Sequence, residues 1–106
     1  MATFFNQAVK NLDTSEILAV TSDSDNTIIL SILCANTDGT GASDLTVRRE
    51  DASSTDKGYL AFTIPVPADS NFDVLSNRFV LPSGDKILVS SNVSGTLDIQ
   101  VSYLTL

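Results

Sequence analysis

The chain has 106 residues, of which 42% are hydrophobic, and this supplies one domain with enough apolar side chains to fold around a single core. Thirteen acidic against six basic residues leave a net charge of −7, which argues against a phosphate-backbone ligand, and the absence of histidine removes the commonest general base and metal ligand. A single cysteine excludes an internal disulfide. No apolar run approaches the roughly 18 residues of a membrane span, and the N-terminus lacks a basic region followed by a long apolar one, so neither a membrane partner nor a secretory signal is expected.

In chain order, residues 1–15 read as an N-terminal arm or a first strand, and residues 16–106 as a β-sandwich domain. Asn11 to Glu16 has the composition of a helix cap, but too few helix-compatible residues follow before Val20 and Thr21. The segment is therefore expected to be a turn, with a strand over Glu16 to Thr21. Thr27 to Ala35 is apolar almost throughout, and its β-branched content and flanking Ser/Asp/Asn and Asn/Asp/Gly clusters favour a strand. Such a run predicts a central strand covered on both faces, or one shielded by a neighbouring subunit.

Leu45 and Val47 alternate with Thr46 and Arg48 in the next strand. Leu60, Phe62 and Ile64 alternate with Tyr59, Ala61 and Thr63 in the one after, and Pro65 and Pro67 are expected to end its pairing. Phe72 to Leu81 predicts one more strand. Lys86 to Ser90 is another, opened by the turn Pro82-Ser83-Gly84-Asp85. The clearest signal lies last: Leu97, Ile99, Val101 and Tyr103 share one face, with Thr96, Asp98, Gln100 and Ser102 on the other. Ser91 to Gly95, between these two strands, has hairpin length. The expected class is all-β: a single antiparallel β-sandwich, jelly-roll or immunoglobulin-like, of seven to eight short strands.

The residues assemble no catalytic set. Asp23-Ser24-Asp25-Asn26 opens like a calcium loop, but Ile28 stands where glycine is needed and Cys34 where glutamate is needed, so the EF-hand reading fails. A solvated acidic turn is the default reading, and a looser calcium site built with the Asp38 to Asp44 loop is the alternative. Asp38-Gly39-Thr40-Gly41 has neither the order of an aspartic-protease loop nor a phosphate-loop continuation, and reads as a turn. Cys34, in the most apolar strand, is expected to behave as a buried hydrophobe with a raised pKa. Arg48 and Arg49 must face opposite sides of a strand: one of them lies toward the inner face or an interface where its guanidinium holds a carboxylate, and the alternative is a surface ion pair with Glu50 or Asp51. Phe4 and Phe5 are neighbours too, so one points at the core and the other is left for a partner. Neither a metal nor a cofactor is expected.

Several stretches, taken together, resemble small virion structural proteins of tailed bacteriophages. They are Ser31-Ile32-Leu33-Cys34-Ala35-Asn36-Thr37-Asp38-Gly39, Val47-Arg48, Tyr59-Leu60-Ala61-Phe62 and Pro65-Val66-Pro67-Ala68-Asp69, then Leu81 to Ile87 and the closing Val101 to Leu106. The resemblance runs from about Leu18 to the C-terminus. It departs at Val20 to Asp25, where the family carries a Val-Pro-Ala-Gly-type corner. It implies a virion protein of the capsid-decoration or head–tail type, assembled in the host bacterial cytoplasm and without an active site. Its partners would be the major capsid protein, other virion proteins and copies of itself, with no nucleic acid and no membrane.

The leading expectation is a decoration, or cement, protein that stabilises the head. A neck, tail or fibre-attachment module is the alternative. A carbohydrate- or receptor-binding β-sandwich is a third reading, weakened by the absence of tryptophan and an aromatic content of 7%. Candidate interface residues are Phe4 and Phe5 as an N-terminal anchor, Asp38 and Asp44 on a loop at the tip, and Arg48.

Overall fold

The computed structural model describes residues 3–23, 26–75 and 77–105. Among them the regular elements are strands: β1 (Thr3–Val9), β2 (Ile17–Thr21), β3 (Thr27–Asn36), β4 (Ser43–Glu50), β5 (Asp56–Val66), β6 (Asn71–Asp73), β7 (Phe79–Leu81), β8 (Lys86–Ser91) and β9 (Leu97–Thr105). They form two antiparallel sheets. The first has the order β1-β9-β3, with β6 and β7 both paired to β3; the second has the order β2-β8-β4-β5.

β6 and β7 meet β3 at Leu33 to Ala35 and at Thr27 to Ile29, so they are two pieces of one interrupted edge. Each sheet is therefore four strands wide. Of the connections, β4–β5 is a hairpin and β6–β7 stays on its edge, while the rest pass from one sheet to the other. A chain wound alternately through two sheets in this order is a jelly roll, the first of the two architectures expected.

The core follows from the pleat. Inward residues of β3 and β9 stack in register, with Ile32 against Val101 and Cys34 against Ile99, and all four are fully buried. Leu45, Val47, Ile87 and Val89 face them from the second sheet. Each end of the sandwich is closed differently. Leu12, in the β1–β2 connection, is fully buried, donating its amide to the Leu97 carbonyl at 2.8 Å and accepting from the Gly95 amide at 2.9 Å. At the opposite end Arg49 lies on the inner side of β4, and its Nε donates to the largely buried Asp85 carboxylate at 2.9 Å.

Several expectations need correction. Ser91 to Gly95 does not close a hairpin: β8 pairs with β2 and β4, β9 with β1 and β3, so the segment carries the chain between sheets. In β5, Leu60 and Ile64 pack against the core as expected, but Ala61 is buried and Phe62 is 60% exposed, which reverses the alternation at those two positions. Register shifts beside Val47 insert extra residues opposite β4, and each one flips the following side chains to the other face. Pro65 does not end the pairing, because on an edge strand its missing N–H faces solvent, and Val66 still opposes Ser43. Phe72 to Leu81 holds two strands, β6 and β7, where the sequence predicts one, because the pairing with β3 is interrupted; this makes nine strands among the described residues in place of the expected seven to eight. Finally, of the two settings expected for β3, cover on both faces within the chain is excluded, since Ile28, Leu30 and Leu33 point outward and are part-exposed; shielding by a neighbouring subunit is the setting that its outer face fits.

Candidate interaction surface

Outward positions of the first sheet should be polar if that face meets only water. At one end they are not. Phe4 opposes Leu104, Leu104 opposes Ile28, and Ile28 opposes Val80, which sets four apolar side chains in a row across β1, β9, β3 and β7. Phe4 is 70% exposed and Val80 52%. Further along the face Leu33 stands beside Gln100 and is also exposed.

Phe4 and Phe5 divide as adjacent strand residues must. Phe5 turns to the inner side, where its ring stacks on Tyr103 with centroids 5.3 Å apart and planes 20° from parallel. Phe4 turns outward, on the same face as Asn6, whose Nδ2 donates to the Ser102 hydroxyl at 3.0 Å. Even so β1 is wet on both sides: six of its seven residues are exposed.

The outer face of the second sheet is organised around Arg48. Its Nε and Nη2 donate to the two carboxylate oxygens of Glu16 at 2.7 and 2.8 Å, and Nη2 also donates to Glu50 at 2.7 Å. Asp56 lies 3.7 Å away on the other side of the fork. The hydrogen bonds from Arg48 hold the Glu16 carboxyl below its ordinary pKa, and the same bonds push the guanidinium further up. Beside this cluster Tyr59 and Phe62 pack edge to face with centroids 4.7 Å apart, and both are more than half exposed. The sequence marks Arg48 through its β4 position. Glu50, two residues on along β4, shares its face by period two; Glu16 and Asp56 come from other segments, which period-two reasoning does not connect.

Asp38 and Asp44 lie at the end of the sandwich closed by Leu12. Asp38 accepts from the amide and hydroxyl of Thr40 at 3.0 and 2.9 Å, and the amide bond is the main reason its carboxyl sits below the usual range. The buried Asn36 fixes this loop: its Nδ2 reaches the carbonyls of Gly41 and Val66, and its Oδ1 accepts the Asp38 amide. The Asp44 amide donates to Asn92 Oδ1 at 2.7 Å, tying β4 to the β8–β9 crossing. The loop end is thus separate from Phe4 and from Arg48, and the five candidates form three sites. Cys34 is fully buried, and burial pushes its thiol up to about 12. Among the described residues no cluster of three or more His, Cys, Asp or Glu is placed to hold a metal ion. The calcium-loop reading includes Ser24 and Asp25, which lie outside the described residues.

No protein-family model matches the sequence, and no curated protein matches it. Solved structures do share its fold. The VP2 subviral particle of infectious bursal disease virus matches with a TM-score of 0.57 at 7% identity, over 98% of this chain and 33% of that one. The Gx strain of the same virus matches at 0.56 and 7%, over 97% and 31%. The chain spans about a third of the length of these viral proteins. Bacillus endospore appendages, described as a family of disulfide-linked pili, match at 0.57 and 14%, over 99% of this chain and 89% of theirs. At these identities the likeness is one of fold, and the fold is a jelly roll found in particle- and fibre-forming proteins.

Proposed function

We propose that this chain is a structural subunit of a virus particle that works by assembly, and that its particular role is to decorate and cement the capsid of a tailed phage. The observation that carries the reading is the apolar row Phe4, Leu104, Ile28 and Val80 across the outer face of the first sheet, with the exposed Leu33 further along the same face. Burying such a row against a capsid subunit releases about 25 cal/mol for each Å² removed from water, and no chemistry is required. The resemblance of Ser31–Gly39, Tyr59–Phe62 and the C-terminal segments to phage virion proteins supports the same role. So does a fold shared with a virus coat protein.

A pilus subunit is the rival. The matching pili are described as disulfide-linked, whereas the single cysteine of this sequence is buried between two sheets with its thiol protonated. That observation favours the particle. The test is the copy number of this chain in purified virions, measured by quantitative mass spectrometry against the major capsid protein. Hundreds of copies support cementing of the head lattice. About a dozen would move the chain to a neck or tail ring, and absence from the particle would overturn the reading.

A further inference from the structure

An exposed sheet edge offers unpaired N–H and C=O groups to any other strand, and proteins normally block it with short strands, bulges, prolines or charges. Three of the four edges here are blocked. β5 is long, but it carries three register shifts, Pro65, Lys57 and a left-handed Thr63 at φ 48°. β2 has five residues and a shift between Leu18 and Val20. The β6/β7 edge is broken into two pieces of three residues. β1 has none of these devices. Its seven residues, Thr-Phe-Phe-Asn-Gln-Ala-Val, contain no charge and no proline, and they keep continuous register with β9 from Thr3 to Val9.

We infer that β1 pairs antiparallel with β1 of a second copy of this chain, joining the two first sheets into one across a twofold axis. The sequence of the strand argues for that occupant. In full overlap Asn6 lies opposite its own mate, Phe5 opposite Gln7, Phe4 opposite Ala8, and Thr3 opposite Val9. Each bulky ring then meets a smaller or flexible side chain on the same face, and the two Asn6 amides can hydrogen-bond to each other. Two copies that each carry −7 repel overall, so they can meet most readily along a segment without charge. Pairing also gives the outward main-chain groups of β1 the hydrogen-bond partners that this exposed edge lacks on its own. The inference does not depend on the virion reading, because it concerns the purified chain alone.

The experiment is sedimentation equilibrium of wild-type chain, Asn6→Lys and Asn6→Glu, each checked for its β circular dichroism and melting temperature. A wild-type dimer is expected. Each variant should be weakened roughly fivefold by like charges facing across the axis, and an equimolar mixture of the two should recover association. Hydrogen exchange supplies a reading without substitutions: amides of β1 directed away from β9 should gain protection as wild-type concentration rises. A monomer at every concentration overturns the inference. So does a dimer that both variants leave intact, a ring of three or more subunits, or β1 amides whose exchange ignores concentration.

Discussion

Cys34 shows how one residue's surroundings decide its chemistry. It sits on the inner side of β3 opposite Ile99, with no exposed surface, and the desolvation of its thiolate raises the pKa to about 12. Near neutral pH the thiolate is therefore scarce and also out of reach. Labelling with an aromatic disulfide reagent should proceed only at the rate of unfolding, and labelling of the native chain within seconds would contradict the burial. Cys34→Ser, which places a hydroxyl among apolar groups, should cost about 1–3 kcal/mol in urea unfolding. Arg48 tests electrostatics at the same scale. Because its hydrogen bonds lower the Glu16 pKa from 4.5, their stabilisation is present above that value and is lost as pH falls through the lower folded-state value. Arg48→Met should therefore be less stable than wild type near pH 7, with the gap closing as acid protonates Glu16. A gap that is constant between about pH 7 and pH 3 would show that the ion pairs add nothing beyond packing.

At the scale of elements, turns and edges carry the testable geometry. Gly84 sits in the β7–β8 turn at φ +87°, and an added Cβ would lie 2.7 Å from the Ala52 side chain. Gly58 has φ +109° with open space around it. Gly58→Ala should thus cost about 1 kcal/mol from backbone strain alone, and Gly84→Ala clearly more, because a neighbouring turn must also shift. Equal melting-temperature losses would show that the contact with Ala52 relaxes freely. Deleting residues 1–10 removes β1 while leaving the paired core strands, so the β circular dichroism signal should persist and assembly should be lost. A truncated chain that still decorates capsids would remove Phe4 and Phe5 from the interface. What the sequence reveals at this scale is local. Strict alternation makes β9 legible because one face of it packs and the other is wet. The phase of β5 is hidden because bulges beside Val47 depend on where β4 pairs, and the β8–β9 crossing is hidden because five residues suit a hairpin and a change of sheet alike. Phe4 and Phe5 are legible as a divided pair. The row they begin is not, since Ile28, Val80 and Leu104 become neighbours only through registers set by three other strands.

At the scale of the whole molecule, charge and size determine how assembly should respond to salt. The sandwich measures 43 × 27 × 21 Å and each copy carries −7. At about 10 mM salt the Debye length is roughly 30 Å, so two copies side by side feel most of each other's charge; at about 150 mM it is roughly 8 Å, and only groups near the seam interact. The seam inferred here is uncharged, which leaves net repulsion as the main electrostatic effect. Self-association should therefore strengthen as salt rises from about 10 to 150 mM. An assembly contact made by the acidic loop of Asp38 and Asp44 with a basic partner would do the opposite and weaken over the same range. Sedimentation of the chain alone and co-sedimentation with capsids, each at both salt concentrations, separate the two modes by sign. If self-association weakens with salt, ion pairs hold the copies together, and a surface such as that around Arg48 takes the place assigned to β1.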